Sequence, residues 1–224
     1  MEFLQPIDWH EAVSAAAEHP DAVPVTGGTD VMVELNFDRR RPPALLDLTR
    51  VPELAEWWVA DDGRIRLGAA VTYSRVITEL AHRLPGLAMA ARTGGSPQIR
   101  NRGTVGGNLG AASPAGDCHP VLLSDDTQVE VGSVAGSRFV PIADFYLGVK
   151  RNALAPGELV RAVWLRPPRG PQQFCKIGTR NAMVISVAAL GLSLHPERKE
   201  VQTAVGSVAP TPRRATDASA FVSH

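Results

Sequence analysis

Apolar residues recur at helical spacing early in the chain and at strand spacing soon after. Ala12, Val13, Ala16 and Ala17 share one side of a helix over Trp9 to Glu18. Asp8 is placed to cap it, and His19-Pro20 stops it. Ala22 to Val25 predicts a short buried strand closed by Gly27-Gly28, and a helix from Thr29 or Asp30 to Phe37 follows. Arg39-Arg40-Arg41-Pro42-Pro43 ends that helix, and Ala44 to Leu48 is the next strand, which completes a β-α-β unit. A second segment begins near Val51. Trp57-Trp58-Val59 and Arg64 to Gly68 predict a hairpin around Asp61-Asp62-Gly63. Tyr73 to Ala81 and Gly86 to Arg92 read as helices. Asp117 to Leu123 reads as a short helix, and Gln128 to Val131 with Ser137 to Val140 as another hairpin. The third segment starts at the linker-like Pro167-Pro168-Arg169-Gly170-Pro171. It predicts strands over Phe174 to Thr179, Ser186 to Leu194 and Val201 to Val208, then a helix from Thr216.

Composition narrows the class. Lys+Arg and Asp+Glu are both 23 in 224 residues, so the net charge is zero and no chain-wide cationic footprint for nucleic acid exists. Two cysteines, Cys118 and Cys175, exclude a disulfide scaffold and cannot hold a cluster that needs four thiolates. No basic region followed by an apolar stretch opens the sequence, and the longest apolar-leaning run, Met183 to Leu194, is too short for a bilayer. A soluble, cytoplasmic protein without a membrane span is the expectation.

Two glycine-rich loops carry the candidate chemistry. The first is Val25-Thr26-Gly27-Gly28-Thr29-Asp30, between a strand and a helix. Adjacent glycines let backbone amides approach an anion, and a diphosphate suits the site. Asp30 would repel such a ligand, so it caps the helix amides or reaches a hydroxyl. Taken alone, this loop reads more readily as a tight strand-to-helix turn with no ligand, since such turns are common. The second lies in Gly94 to Gly116, a stretch dense in Gly, Ser, Asn and Pro. Within it Gly103, Gly106, Gly107 and Gly110 are spaced Gly-x-x-Gly-Gly-x-x-Gly, which is neither a Rossmann nor a Walker pattern. Such a bare backbone suits something flat or extended. Other candidates are weaker. Cys118-His119 suggests a nucleophile and base, but a buried helical position for Cys118 fits better. The six histidines lack metal-ligand spacing. Lys176, within the apolar strand Phe174 to Ile177, calls for an anionic or carbonyl partner.

Together the loops resemble the FAD-binding medium subunit of molybdenum hydroxylases, the family of xanthine dehydrogenase and carbon monoxide dehydrogenase flavoproteins. Thr26-Gly27-Gly28-Thr29-Asp30 is similar to its first flavin loop. Thr104-Val105-Gly106-Gly107-Asn108, with Ala112-Ser113-Pro114 and Asp117, is similar to its second and more specific one. Gln98 to Gly103 and Ala209 to Ala215 also match, in order, so the resemblance covers essentially the whole chain. It implies an α+β architecture: a vanillyl-alcohol-oxidase-type (PCMH-type) FAD-binding domain over 1–166, with subdomains of about 1–50 and 51–166, and a shortened C-terminal α+β domain over 167–224. The cofactor implied is FAD. The cofactor-binding residues implied are Val25, Thr26, Gly27, Gly28, Thr29 and Asp30 from the first loop. The second loop and its flanks give Ile99, Thr104, Gly106, Gly107, Asn108, Ala111 and Asp117, and Leu154 and Lys176 match positions near the isoalloxazine ring.

The resemblance also implies partners: an iron–sulfur small subunit with two [2Fe–2S] clusters and a molybdopterin large subunit, with NAD or another acceptor taking the electrons. The sequence departs from the family in two places. The C-terminal domain stops soon after Pro210-Thr211-Pro212-Arg213, and no aromatic side chain stands near Met183-Val184, where many relatives place one. A stand-alone flavin oxidoreductase, or a truncated relative acting as an interaction module, are the competing readings.

Overall fold

A parallel three-stranded sheet organises the N-terminal β-α-β unit. In the computed structural model, which describes residues 1–223, β1 (Glu2–Leu4), β2 (Val23–Val25) and β3 (Ala44–Asp47) pair in the order β1-β3-β2. His224, the last residue of the expected third segment, lies outside the described residues. Helix α1 (Trp9–Glu18) starts where Asp8 accepts a hydrogen bond from the Glu11 amide at 2.8 Å, while Glu11 accepts from the Ile7 amide at 3.0 Å. Its apolar face, Ala12, Val13 and Ala16, is buried in the same core as Leu46. Helix α2 (Val31–Asn36) begins later than the sequence suggests and buries none of its residues. Asp30 makes no capping bond with its side chain, so the expected cap is absent.

The second segment contains α3 (Pro52–Ala55), β4 (Trp57–Val59), β5 (Ile65–Gly68), α4 (Tyr73–Glu79) and α5 (Pro85–Thr93). Then come α6 (Pro97–Arg102), α7 (Val105–Ala111) and α8 (Cys118–Ser124), followed by β6 (Gln128–Ser133), β7 (Gly136–Pro141), α9 (Ile142–Phe145), β8 (Tyr146–Gly148), β9 (Arg151–Asn152) and β10 (Leu159–Leu165). An antiparallel sheet forms in the order β4-β5-β10-β6-β7, and β8 pairs with β9 in a separate ribbon. Both expected hairpins are present. The glycine-rich stretch is more regular than its composition suggests. Ser96 caps α6 through the Ile99 amide, and Thr104 caps α7 through the Gly107 amide at 2.9 Å. Burial of Val105 and Leu109 offsets the entropic penalty of three glycines in α7. On the sheet's other face Arg66, only 4% exposed, pairs with Glu130 at 3.0 Å under the ring of Trp58.

The third segment folds into β11 (Gln172–Ile177), β12 (Ala188–His195), β13 (Glu200–Gly206) and β14 (Arg213–Arg214), an antiparallel sheet in chain order, with α10 (Thr216–Val222) beside β13. The sheet packs on α5 and α8. Gln172 ties the two layers together. Its Oε1 accepts from the Gly86 amide at 2.9 Å, and its Nε2 donates to buried Asp125. Among the described residues, no helix is long and apolar enough to cross a membrane.

Burial pushes the Asp125 carboxyl from 3.8 up to about 6. A folded-state pKa above the unfolded one means that the stability it contributes is fully present below 3.8 and is lost as pH rises through about 6. Asp125→Asn keeps an acceptor for Gln172 and has no charge to bury. Urea melts of both proteins between about pH 4 and about pH 8 should show the variant gaining on wild type as pH rises, by up to about 3 kcal/mol. A pH-independent difference would count against a buried, titrating Asp125.

Candidate cofactor site

The first loop leaves β2 at Val25 and reverses at Gly28, whose φ of +73° is a left-handed conformation that glycine adopts without strain. The amides of Gly27, Gly28, Thr29 and Asp30 donate to no other group among the described residues. The second loop is fastened from behind. Tyr73 donates its amide to Gly103 at 2.9 Å, and the Gly106 amide donates to Ala69 at 3.1 Å. The amides at the start of α7 are therefore already paired. What this loop offers outward is exposed Gly107 and Gly110 and the side chain of Asn108.

The two loops meet backbone to backbone. A Cβ on Gly27 would lie 1.9 Å from the carbonyl oxygen of Arg102. Beside that contact Thr26 Oγ1 and Thr104 Oγ1 share a hydrogen bond of 2.9 Å, across 78 residues of chain. The far wall comes from the third segment. Lys176, on β11, donates to Asp117 Oδ2 at 2.6 Å and to the Thr93 carbonyl at 3.3 Å, and Thr93 Oγ1 donates to the same carboxylate oxygen at 2.9 Å. Lys176 thus has both kinds of partner that its sequence setting calls for. Both charged side chains are less than 10% exposed. Asp117 stands just before α8 with helical backbone angles and makes no capping bond, so its carboxylate serves the ion pair rather than the helix.

These walls enclose a cleft of about 780 Å³, within the usual range for cofactor pockets. All fifteen residues singled out from the sequence line it: Val25 to Asp30, Ile99, Thr104, Gly106, Gly107, Asn108, Ala111, Asp117, Leu154 and Lys176. Met183, at φ +49°, Val184 and Ile185 close the side where no aromatic stands. Cys118 and His119 do not form a nucleophile–base pair. Burial pushes the thiol up to about 12 and the imidazole down to about 4, and His119 Nδ1 is engaged with the Tyr146 hydroxyl. Among the described residues no cluster of His, Cys, Asp or Glu could hold a metal.

Several contributors carry no local signal in the sequence. Asn152 Nδ2 donates to the Gly110 carbonyl at 2.9 Å and so fixes the end of α7 against the β8–β9 ribbon. Lys150 donates to Glu34 on α2 and holds its carboxyl below the usual range. Tyr73 lies against Gly103 and lines the cleft.

Comparison with known proteins gives the chain its family and its cofactor. The family described as the FAD binding domain in molybdopterin dehydrogenase matches residues 1–167. The chain belongs to that family, so it is an FAD-binding oxidoreductase component. It is 34% identical over 215 residues to the xanthine dehydrogenase FAD-binding subunit of Escherichia coli O157:H7, covering 91% of this chain and 73% of that one. With the nicotinate dehydrogenase FAD-subunit of Eubacterium barkeri it shares 32% identity over 202 residues, 86% of this chain and 68% of that one. The structure is similar to quinoline 2-oxidoreductase from Pseudomonas putida 86, with a TM-score of 0.91, 28% identity, and 99% of this chain and 79% of that chain covered. It is also similar to reconstituted CO dehydrogenase from Oligotropha carboxidovorans, with a TM-score of 0.92, 25% identity, and 99% and 80% covered.

The chemistry of the wall fits that cofactor. Four unpaired loop amides suit a diphosphate, and two buried oxygens on the cleft wall, Asn108 Oδ1 and Asp117 Oδ1, lack a partner. The glycines make distinguishable predictions. A Cβ on Gly107 would lie 2.9 Å from Thr104 Oγ1 and 3.1 Å from Thr26 Oγ1, whereas one on Gly110 meets nothing within 4 Å. Gly107→Val should lower the melting temperature of the apoprotein and abolish FAD uptake. Gly110→Ala should stabilise the apoprotein by about 0.5–1 kcal/mol, through better helix propensity, while weakening FAD binding. Calorimetry and fluorescence titration of both read the two effects apart. Full FAD affinity in Gly110→Ala would place the cofactor away from α7.

Proposed function

We propose that this chain is the electron-transfer subunit of a multi-subunit molybdenum hydroxylase. It stands between the two [2Fe–2S] clusters of a small partner subunit and NAD or another acceptor, while a molybdopterin-bearing large subunit hydroxylates the substrate. The observation that carries this reading is the convergence of three separate segments on one cleft, with unpaired amides and orphaned acceptors on its wall but no activated base or nucleophile. FAD, when bound, supplies reversible two-electron chemistry. In this reading the residues of the chain hold and tune it. The first-loop amides and the bare Gly107–Gly110 edge take the diphosphate, Asn108 and Asp117 face the polar atoms of the cofactor, and Leu154 and Lys176 lie by the ring. The two cysteines of the chain, one buried and one exposed, do not suffice for an iron–sulfur cluster, in keeping with clusters carried by a partner.

Purification from the native host tests this reading. Iron, molybdenum and two further polypeptides should travel with the flavin-loaded chain. A flavoprotein that purifies alone and oxidises a substrate directly would favour a stand-alone enzyme. Protein that takes up no FAD would favour a non-catalytic scaffold.

The Lys176–Asp117 pair sharpens the redox expectation. A lone cation by the ring would favour the reduced, more negative cofactor, but here the cation is matched by a carboxylate at 2.6 Å. Lys176→Met therefore leaves a buried anion as well as removing a cation. The midpoint potential should fall by about 20 mV or more, and the fold should weaken by about 3–5 kcal/mol. Lys176→Met combined with Asp117→Asn removes both charges and should return most of both losses. Spectroelectrochemical titration with parallel melts decides it: an unchanged potential in the single variant would place Lys176 away from the ring.

A further inference from the structure

Helix α2 carries its apolar stripe on the outside. A surface helix usually buries that stripe, and a helix this short is not held by propensity. Met32, Val33 and Phe37 fall on one side of it, with Val33 and Phe37 one turn apart. That side faces solvent: the three are 48%, 44% and 68% exposed. The side-chain ties of α2 are polar. Glu34 accepts from Lys150, in the turn of the β8–β9 ribbon, and stands 4.0 Å from Arg40. Asp38, at φ +54°, then reverses the chain. The Arg39 amide donates back to the Glu34 carbonyl at 2.8 Å, and its guanidinium lies 5.3 Å from the centre of the Phe37 ring.

The stripe has a cationic collar. Arg39, Arg40, Arg41, Lys150 and Arg151 are all exposed, against three acids, Asp30, Glu34 and Asp38, in the same segments. In a chain of zero net charge this is a local surplus. The surface also borders the cleft. Helix α2 follows the first loop directly, and Val31, Glu34, Arg40 and Lys150 line the cleft wall. A body seated on the stripe therefore stands at the mouth of the cofactor site. A second copy of the chain fits poorly, because a two-fold contact sets one collar against the other. A membrane surface asks for a large apolar face, and less than two turns of helix offer only three side chains. What fits is a protein surface that is apolar at its centre and acidic at its rim.

We propose that Met32, Val33 and Phe37, with the collar Arg39 to Arg41, form the docking surface for the cluster-bearing partner, whose matching face is apolar at its centre and acidic at its rim. This rests on the reading of the chain as the electron-transfer subunit of a larger complex. The stripe holds the partner once it is seated, with Phe37 as the anchor. The collar steers its approach and fixes its orientation.

Variants expressed in the native host in place of the wild-type chain test this, with FAD content and melting temperature measured in parallel. Phe37→Glu should keep its FAD and its melting temperature, but the iron-to-FAD ratio of the purified complex should fall by about 10-fold or more, and Phe37→Leu should recover most of the iron. Wild type should release iron as salt is raised from about 0.05 M to about 0.5 M. Arg39→Glu combined with Arg41→Glu should show an iron-to-FAD ratio about 3- to 10-fold lower already at the lower salt, and respond little to the rest. If Phe37→Glu does not fold, the double variant decides alone. Wild-type iron content in the variants, or loss of molybdenum with iron retained, would overturn the proposal alone. So would binding of the wild-type chain to phosphatidylserine vesicles that Phe37→Glu abolishes without changing the iron content, which would assign the surface to a membrane. A wild-type chain that purifies without iron would overturn the subunit reading, and this proposal with it.

Discussion

The hydrogen bond between Thr26 and Thr104, and the glycine contact beside it, hold the site together. Thr104 also caps α7, so one hydroxyl sets the start of a helix and the spacing between two loops. Gly27 must lack a side chain because the Arg102 carbonyl occupies the place where a Cβ would be. Loosening either loop therefore displaces the other. The remaining walls are referred to this junction: Asn152 ties the far end of α7 to the β8–β9 ribbon, and Lys150 ties the same ribbon to α2.

Electrostatics divides the cleft into two regimes. Near the first loop the protein offers amide dipoles, which attract an anion without bringing a mobile counter-charge. Near β11 it offers a buried lysine already neutralised by a carboxylate. Such a pair is expensive to desolvate and contributes little net stability. Its value lies in holding polar groups in a fixed geometry inside a low-dielectric wall, where small charge differences weigh more than they would in water. The same wall leaves one oxygen of that carboxylate without a partner.

Local signals in the sequence gave good guidance to local structure. Asp8 caps α1 as its position predicts, and the Asp-Asp-Gly turn joins β4 to β5. The third segment is a strand sheet as expected, with small boundary shifts and one further short strand, β14, that the sequence did not signal. The strand that matters most for the second sheet, β10, was not legible. It carries a register shift between Val160 and Ala162, so its buried positions, Leu159, Val160, Ala162, Val163 and Leu165, do not alternate strictly. Glycine content similarly hid α6 and α7, whose stability comes from caps and packing and not from propensity. The cleft residues were named through two motifs and a family likeness, and periodicity alone would not have joined Lys176 to Asp117 across 59 residues. The contact of His119 with Tyr146 had no signal, because it joins α8 to β8 in a way that composition does not encode.

The central place of β10 has a bearing on biosynthesis. It is hydrogen-bonded to β5 on one side and β6 on the other, and β5 pairs with it across about a hundred residues of intervening chain. The nascent polypeptide thus cannot close its second sheet until that strand has emerged, and β11, which brings Lys176 to the cleft, follows later still. Long-range pairing of this kind slows folding, since loop closure precedes the contacts that reward it. During elongation the hairpin β4–β5 presents an unpaired edge, the feature that invites wrong association. The pocket itself comes into being only after β11 has joined the closed second sheet, so any ligand that needs all of its walls must wait for pairings that span most of the domain.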